Sequence, residues 1–432
     1  MREFVHADQL KGHQAVVVGA GRSGIAATRL LLKLGAQVRL LEQGSKNIQS
    51  FEDDHLVQVI HGEHKAEYFL GAQLVVLSPG IAKSRMRSLI PQDVQVISEL
   101  ELASWFVSKP MIAITGTNGK TTTTTLVGRI LEHSGHKAFV GGNIGTPLSE
   151  YLLDHDQAEV LVLEVSSFQL QNSPSFHPQV AVLLNFSPNH LDYHESMAEY
   201  LEAKLSMFAR LDTRDLAIVP LAMRQELEGR NFTQASRTYF VGTNRFQCPG
   251  LPGAHNQENL EAAYLASRFF GVSVDEAQAA VRDFASLPHR LETVLEYQGV
   301  IFVDDSKSTT IDSALAAIKS QDRPIHLLAG GIFKGGDLRL ILPVLQEKVR
   351  AIYLFGASRE IFEEAWQDFD GSLTWDATLE AAVVRAATQA QTGDCVLLSP
   401  ATASFDLFAN YKERGRAFQQ CVRRWAGEKS CG

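Results

Sequence analysis

The stretch Met111–Thr125, MIAITGTNGKTTTTT, constrains this chain more than any other. An apolar, β-forming run empties into a glycine-containing turn, then Lys120, then a row of threonines that opens a helix. Strand, tight turn and helix in that order point backbone N–H groups at an anion, and the helix dipole favours negative charge at the same place. Lys120 supplies a cation for β/γ-phosphate oxygens, and the Thr121 hydroxyl is placed to reach Mg²⁺. The full phosphate-loop pattern asks for glycine at position 114, where this chain has Ile114. The loop is therefore the shorter form made of Gly116, Thr117, Asn118, Gly119, Lys120 and Thr121, followed by Thr122. It points to ATP binding; a glycine turn capped by threonine is the plain structural alternative.

A chain of 432 residues with 45% apolar content has material for about three cores. No run approaches the ~20 apolar residues of a membrane span, and the opening MREFVHADQLKGH has no apolar leader. A net charge of −9 without a basic tract argues against nucleic acid as a partner. Cys248, Cys395, Cys421 and Cys431 are scattered without metal-ligand spacing, which fits reduced thiols in a cytoplasm.

Apolar runs alternate with helical patterns in three segments, and the expected fold is three consecutive α/β domains with mostly parallel sheets. The first, residues 1–99, is Rossmann-like. A strand at Ala15–Val18 meets Gly19-x-Gly21-x-x-Gly24, a helix carries Ile25, Leu30, Leu31 and Leu34 to Gly35, and a second strand, Gln37–Leu41, ends at Glu42. Taken alone, that is the fingerprint of NAD or FAD binding. A later strand, Gln73–Leu77, runs into Ser78-Pro79-Gly80, a second turn at a strand's carboxyl end. The central segment, 100–286, holds the phosphate loop. Its strand LVLEVSS ends in Glu164, placed like the acid that holds Mg²⁺ beside such a loop, and a later strand ends in His190 and Asp192. The spacing predicts a helix over Met197–Arg210 bearing Lys204, and another whose first turn holds Asn256 and Asn259. The third segment, 287–432, alternates again from GVIFVDDS to DCVLLSPATASFD and is also Rossmann-like.

GTNGKTT, LEVSSFQL, NHLD followed by AKL, LPGAHNQEN, LPHRLE, DDSKSTT and LSPATASFDLFANYKERG, in that order, resemble the Mur ligases of peptidoglycan synthesis. The resemblance spans essentially the whole chain and is closest to the D-glutamate-adding branch. Asn118 stands where L-alanine-adding members typically have His, and the Asn-Pro-Arg motif of the diaminopimelate- or lysine-adding members is absent. Folylpolyglutamate synthases share the loop and lysine logic but usually lack a Rossmann-like first domain.

The resemblance implies a cytoplasmic, monomeric bacterial ligase. It would use ATP and Mg²⁺, in two sites, to join D-glutamate to UDP-N-acetylmuramoyl-L-alanine through an acyl phosphate. Residue by residue, it assigns the uridine diphosphate of the substrate to Arg22, Ser23, Gly24, Glu42, Gln43, Ser78 and Gly80, with Asn143 as a further substrate contact. Lys120, Glu164, His190 and Lys204 take catalytic roles, and Thr121, Glu164, His190 and Lys204, the last as a carbamate, hold metal. Asn256, Asn259, Arg290, Asp305 and Lys307 complete the ATP site, and Thr309, Lys334, Ser404, Phe405 and Tyr411 the D-glutamate site. Arg290, Asp305 and Lys307 lie in the third segment, so the resemblance also implies closure of that domain during turnover.

Alternatives stay open at single residues: Lys204 as a surface lysine, His190 as a capping or core histidine, and DDSK as an acidic turn. Two other classes remain, an NAD-dependent oxidoreductase and a non-catalytic nucleotide-gated regulator. Three positions depart from the family pattern: Phe333 where a small or acidic residue is common, Thr310 for Asn, and Asn189 for Asp.

Overall fold

Short apolar strands buried on both faces pair in parallel wherever helices cover them, and three such sheets form here. The computed structural model describes residues 10–44, 51, 55–81, 86–154, 157–190, 193–251, 253–285 and 287–430, so Asp192 and Ser286 lie outside the described residues. The chain divides into two units. One takes the chain up to Phe186 with Ser196–Gln247 and Gln257–Arg282; the other takes Ser187–Glu195, Cys248–Asn256 and the chain from Asp283 onward.

The first unit holds two parallel sheets. One is built from β1 (Gln14–Val18), β2 (Gln37–Glu42), β3 (Val57–His61), β4 (Leu74–Leu77) and β5 (Gln95–Ser98), in the order β3-β2-β1-β4-β5. The order reverses between β1 and β4, so the turns after Val18 and Leu77 come to lie side by side, where ligands of open α/β sheets gather. The other sheet contains β6 (Met111–Thr115), β7 (Ala138–Gly142), β8 (Val160–Glu164), β9 (Val180–Leu183), β10 (Leu216–Pro220) and β11 (Ser236–Phe240). Its order is β11-β10-β9-β6-β8-β7, which puts the phosphate loop between the ends of β8 and β9. Ala113, Leu161, Leu163, Ala181 and Leu183 are fully buried on these strands.

The second unit carries β12 (Glu292–Tyr297), β13 (Val300–Asp304), β14 (Ile325–Gly330), β15 (Val349–Phe355), β16 (Ser372–Asp376) and β17 (Cys395–Leu398), ordered β12-β13-β17-β14-β15-β16. β12, not foreseen from the sequence, pairs antiparallel with β13. Gln298 and Gly299 between them both have positive φ, +50° and +76°, the backbone that a two-residue hairpin demands.

Two helices differ from their sequence-based limits. The one expected over Met197–Arg210 is α-helical only to Leu205 and tightens into a 3₁₀ turn at Ser206–Phe208. The Ser206 hydroxyl donates to Ala203 O at 2.8 Å, a local bond that competes with the helical ladder. The helix Ala254–Arg268 holds Asn256 in its first turn but Asn259 one turn later.

Candidate functional site

The side-by-side turns after β1 and β4 wall a cleft of about 690 Å³ lined by Arg22, Ser23, Glu42, Gln43, Ser78 and Gly80, among others. Six of the residues assigned to the uridine diphosphate therefore share one cavity, together with Glu63 and His64, which the sequence did not single out. Ser78 Oγ donates to Gly19 O at 2.8 Å and joins the two turns. Gly24 packs so tightly on the first turn that a Cβ there would lie 1.9 Å from Gly19 O. Gly24→Ala should therefore displace the turn, costing about 3 kcal/mol, the top of the overpacking range, and abolishing stabilisation by the uridine substrate in thermal unfolding.

Glu42 accepts the Ala20 N–H at 2.7 Å on one carboxylate oxygen and the Gly44 N–H at 2.8 Å on the other. The acid that would bind ribose in a dinucleotide site is here engaged in holding the glycine turn. Arg22, more than half exposed, reaches both carboxylate oxygens of Glu150 at 3.1 and 3.2 Å.

At the phosphate loop, Gly116 and Gly119 take φ of +156° and +81°. Lys120 Nζ donates back to Gly116 O and Thr117 O, both at 2.9 Å, and so lies across the loop. Asn118 exchanges two bonds with Asn185, N–H to Oδ1 at 2.8 Å and Nδ2 to O at 3.1 Å. Asn185 was missed; its only signal was an amide directly after the AVLL run. Asn259 Oδ1 accepts from Thr123 Oγ1 at 3.3 Å and would stand 2.4 Å from a Cβ at Gly119. Thr122 is buried in the first turn of the helix Lys120–His133.

Glu164, at the end of β8, draws in two neighbours. Thr121 Oγ1 donates to its Oε2 at 2.8 Å and Asn143 Nδ2 to its Oε1 at 2.9 Å. Lys204 is only 1% exposed, so the surface-lysine alternative falls. Its Nζ donates to Gly116 O at 2.9 Å and lies 4.5 Å from the centre of the Tyr200 ring. Burial first, and then the positive charge of Lys120, hold the Lys204 pKa well below the ordinary lysine range, with Glu164 opposing. Tyr200, unassigned from the sequence, also places its hydroxyl 3.3 Å from Thr117 Oγ1.

His190 belongs to the second unit, in a loop at φ +58°, and its N–H is held by Asn189 Oδ1 at 2.9 Å. An aspartate at position 189 offers the same acceptor, so that departure is conservative. Asn256 is buried in the same unit. Loops at the carboxyl ends of β13, β17 and β14, which are neighbours, carry the other residues assigned there: Asp305, Lys307 and Thr309 on one, Ser404 and Phe405 on the next, Lys334 on the third. Asp305 is buried, accepts from Ser399 Oγ at 2.9 Å and from the Leu291 N–H at 3.3 Å, and adjoins Arg290 electrostatically. Lys307 Nζ sits 4.0 Å over the Tyr411 ring. Ser404 is buried while Phe405 is 71% exposed.

Two family departures in this unit have structural uses. Thr310 caps the helix Ile311–Lys319, accepting the Ser313 N–H. Phe333 packs edge-on against Phe362, with ring centroids 6.3 Å apart.

Burial lifts the Asp305 carboxyl to about 7, against the opposing Ser399 bond and Arg290 charge. An acid raised in the folded state stabilises most fully below its unfolded pKa near 4, and the contribution is lost as pH rises through 7, at up to ~1.4 kcal/mol per pH unit. Thermal scans between pH 5 and 8 should show wild-type stability falling more steeply than that of Asp305→Asn.

The sequence also missed Arg414. Its guanidinium is fully buried and donates to Ser306 O at 2.9 Å, Thr402 O at 3.1 Å, Ala403 O at 3.3 Å, Gly330 O at 3.4 Å and Ser306 Oγ at 3.0 Å. One side chain thus fastens all three strand-end loops. Its neighbour Gly415 allows close approach to a His289–Asp304 pair bonded at 2.7 Å; a Cβ would meet His289 Nδ1 at 2.2 Å.

The phosphate loop, the Rossmann-like cleft and the third α/β segment are matched along the chain by three domain families. These are the MurD-like N-terminal domain of Mur ligases over residues 13–98, the Mur ligase middle domain over 114–248 and the glutamate ligase domain of Mur ligases over 289–402. The chain belongs to the Mur ligase family. Within it, the chain is 49% identical over 422 residues to the UDP-N-acetylmuramoylalanine–D-glutamate ligase of Nitratidesulfovibrio vulgaris strain DP4, covering 96% of this chain and 97% of that protein. It is 49% identical over 432 residues to the enzyme of the same name from Oleidesulfovibrio alaskensis, covering 97% and 95%. The MurF ligase of Thermotoga maritima, solved with ADP, shares the fold at a TM-score of 0.61 and 16% identity, covering 99% of this chain and 98% of that one. No helix among the described residues is long and apolar enough to cross a membrane.

Proposed function

We infer that this protein is an ATP-dependent ligase that adds D-glutamate to UDP-N-acetylmuramoyl-L-alanine in bacterial peptidoglycan precursor synthesis, acting as a cytoplasmic monomer. Near-half identity to the D-glutamate ligases along their full length carries that reading. The proposed division of labour gives the uridine substrate to residues 1–99, ATP to 100–286 and the amino acid to 287–432.

A carboxylate is a poor electrophile. In the proposed reaction its oxygen attacks the γ-phosphorus of ATP and ADP departs, leaving an acyl phosphate. The amine of D-glutamate then attacks the carbonyl carbon, loses a proton and expels phosphate, which keeps the former carboxylate oxygen. Positioning and charge neutralisation dominate such a step. Lys120 and the loop N–H groups hold the transferred phosphate, and Asn143 orients the substrate beside Glu164. Asn256, Asn259, Arg290, Asp305 and Lys307 complete the nucleotide site.

The oxygen donors Thr121 and Glu164 suit a hard cation, and with His190 and a carbamate on Lys204 they would hold Mg²⁺. When bound, the ion neutralises charge on the phosphate oxygens. A neutral buried amine is the form of Lys204 that CO₂ can attack, and the resulting carbamate supplies two oxygens in place of a cation. Transfer of label from an ¹⁸O-carboxylate of the uridine substrate into released phosphate would support the acyl phosphate; unlabelled phosphate would exclude it.

Lys334 pairs a carboxylate of D-glutamate, Ser404 and Thr309 donate to it, and Phe405 and Tyr411 wall the pocket. D-Aspartate should leave one donor unpaired and lose about 1–3 kcal/mol in kcat/KM, read from competition assays. NAD should raise the apparent Tm less than a UDP-sugar at matched concentration, because Glu42 is committed to the turn. A larger shift with NAD would restore the oxidoreductase reading.

A further inference from the structure

The segment Gly142–Glu150 is fastened at both ends by contacts the chemistry above leaves unexplained. At one end the Asn143 N–H donates to Glu164 O at 2.8 Å while its side chain holds Glu164 Oε1 at 2.9 Å. Gly142 lies so close that a Cβ would meet Glu164 O at 2.5 Å, and its N–H closes the loop onto Thr146 O at 2.9 Å. At the other end are two groups from the first sheet's side of the unit. Glu99, which directly follows β5, accepts the Ser149 N–H on Oε1 at 2.6 Å. Arg22, from the uridine cleft, binds Glu150 and reaches Thr146 Oγ1 at 3.4 Å.

We propose that Glu99 and Glu150 are positioning residues that stretch Gly142–Glu150 as a strap between the uridine-substrate cleft and the Glu164 carboxylate. The inference rests on the reading of Glu164 as a metal-holding acid. Glu99 is 1% exposed and Ser149 wholly buried, so water does not readily replace their bond. Burial, with a small contribution from Glu150, lifts the Glu99 carboxyl to about 7 against the Ser149 bonds. Near neutrality a glutamine is therefore a close mimic, keeping the acceptor without charge. Losing the acceptor frees the strap, and Asn143 then no longer fixes the face that Glu164 turns toward Thr121.

Hydrogen exchange on metal-free protein, paired with steady-state kinetics, tests this on Glu99→Ala, Glu99→Gln and Glu150→Ala. Glu99→Ala and Glu150→Ala should speed exchange across residues 142–150 about tenfold or more while residues 116–123 exchange as in wild type. Both should lower kcat about tenfold, in the range for partners of metal ligands, with KM for the uridine substrate within about threefold. Glu99→Gln should restore both readouts. Wild-type exchange and kcat in the alanine variants would overturn the proposal, as would a glutamine variant as impaired as alanine, or faster exchange throughout the unit. Wild-type turnover with D-glutamate in the same assay stands or falls independently of the variants.

Discussion

Lys204→Ala should lower turnover by about a thousandfold, and millimolar formate or acetate should return part of the loss. The side chain is buried, its amine bonded to a phosphate-loop carbonyl and its pKa depressed by burial and by Lys120. As an ammonium it would repel a Mg²⁺ held beside it; as a carbamate it would attract one. One unit charge at ~4 Å is worth about 4 kcal/mol at an effective dielectric of 20, which is about three decades of rate. A small carboxylate entering the space left by alanine restores the anion but not its tether, so recovery should be partial and saturable. The neutral alanine cavity should also take up formate without turnover, visible as a thermal shift absent in wild type. Near wild-type turnover of Lys204→Ala, or an intact mass showing unmodified Lys204 in active enzyme, would remove the carbamate from the mechanism.

Arg414→Ala should unfold or loosen the second unit, at a cost of about 3–5 kcal/mol, the range for removing one partner of a buried charged network. Four carbonyls and one hydroxyl on three loops lose their donor together. Burial pulls the guanidinium down to about 10, against the opposing charges of Asp406, Asp304 and Asp305, which still leaves the side chain cationic at neutral pH. Arg414→Lys should recover little, because an ammonium cannot span acceptors that the planar fork reaches at once. Where the variant stays folded at low temperature, KM for D-glutamate should rise more than KM for the uridine substrate. Equal stability of Arg414→Ala and wild type in urea would contradict the hub.

The phosphate loop, the glycine turn and the alternation of strands and helices were legible because each is a local rule: a spacing, a period, a residue that tolerates positive φ. The three-sheet architecture followed from that alternation. What escaped were contacts between distant segments. Asn185 clamps Asn118, Glu99 reaches Ser149 and Arg414 gathers three loops, and no spacing in one dimension encodes such meetings. β12 escaped for another reason: ETVLEY mixes charge into its alternation, as an edge strand does, and only the Gln298-Gly299 turn marks it as half of a hairpin. Glu42 was read for its position, yet its oxygens serve the turn it faces.

Phosphate release from ATP, measured with UDP-N-acetylmuramoyl-L-alanine and a panel of D- and L-amino acids, tests the central claim most directly. Release should require all three substrates and Mg²⁺, be fastest with D-glutamate, and fall to background with L-glutamate and meso-diaminopimelate. Equal rates with L-glutamate or meso-diaminopimelate, or release that ignores the uridine substrate, would contradict it.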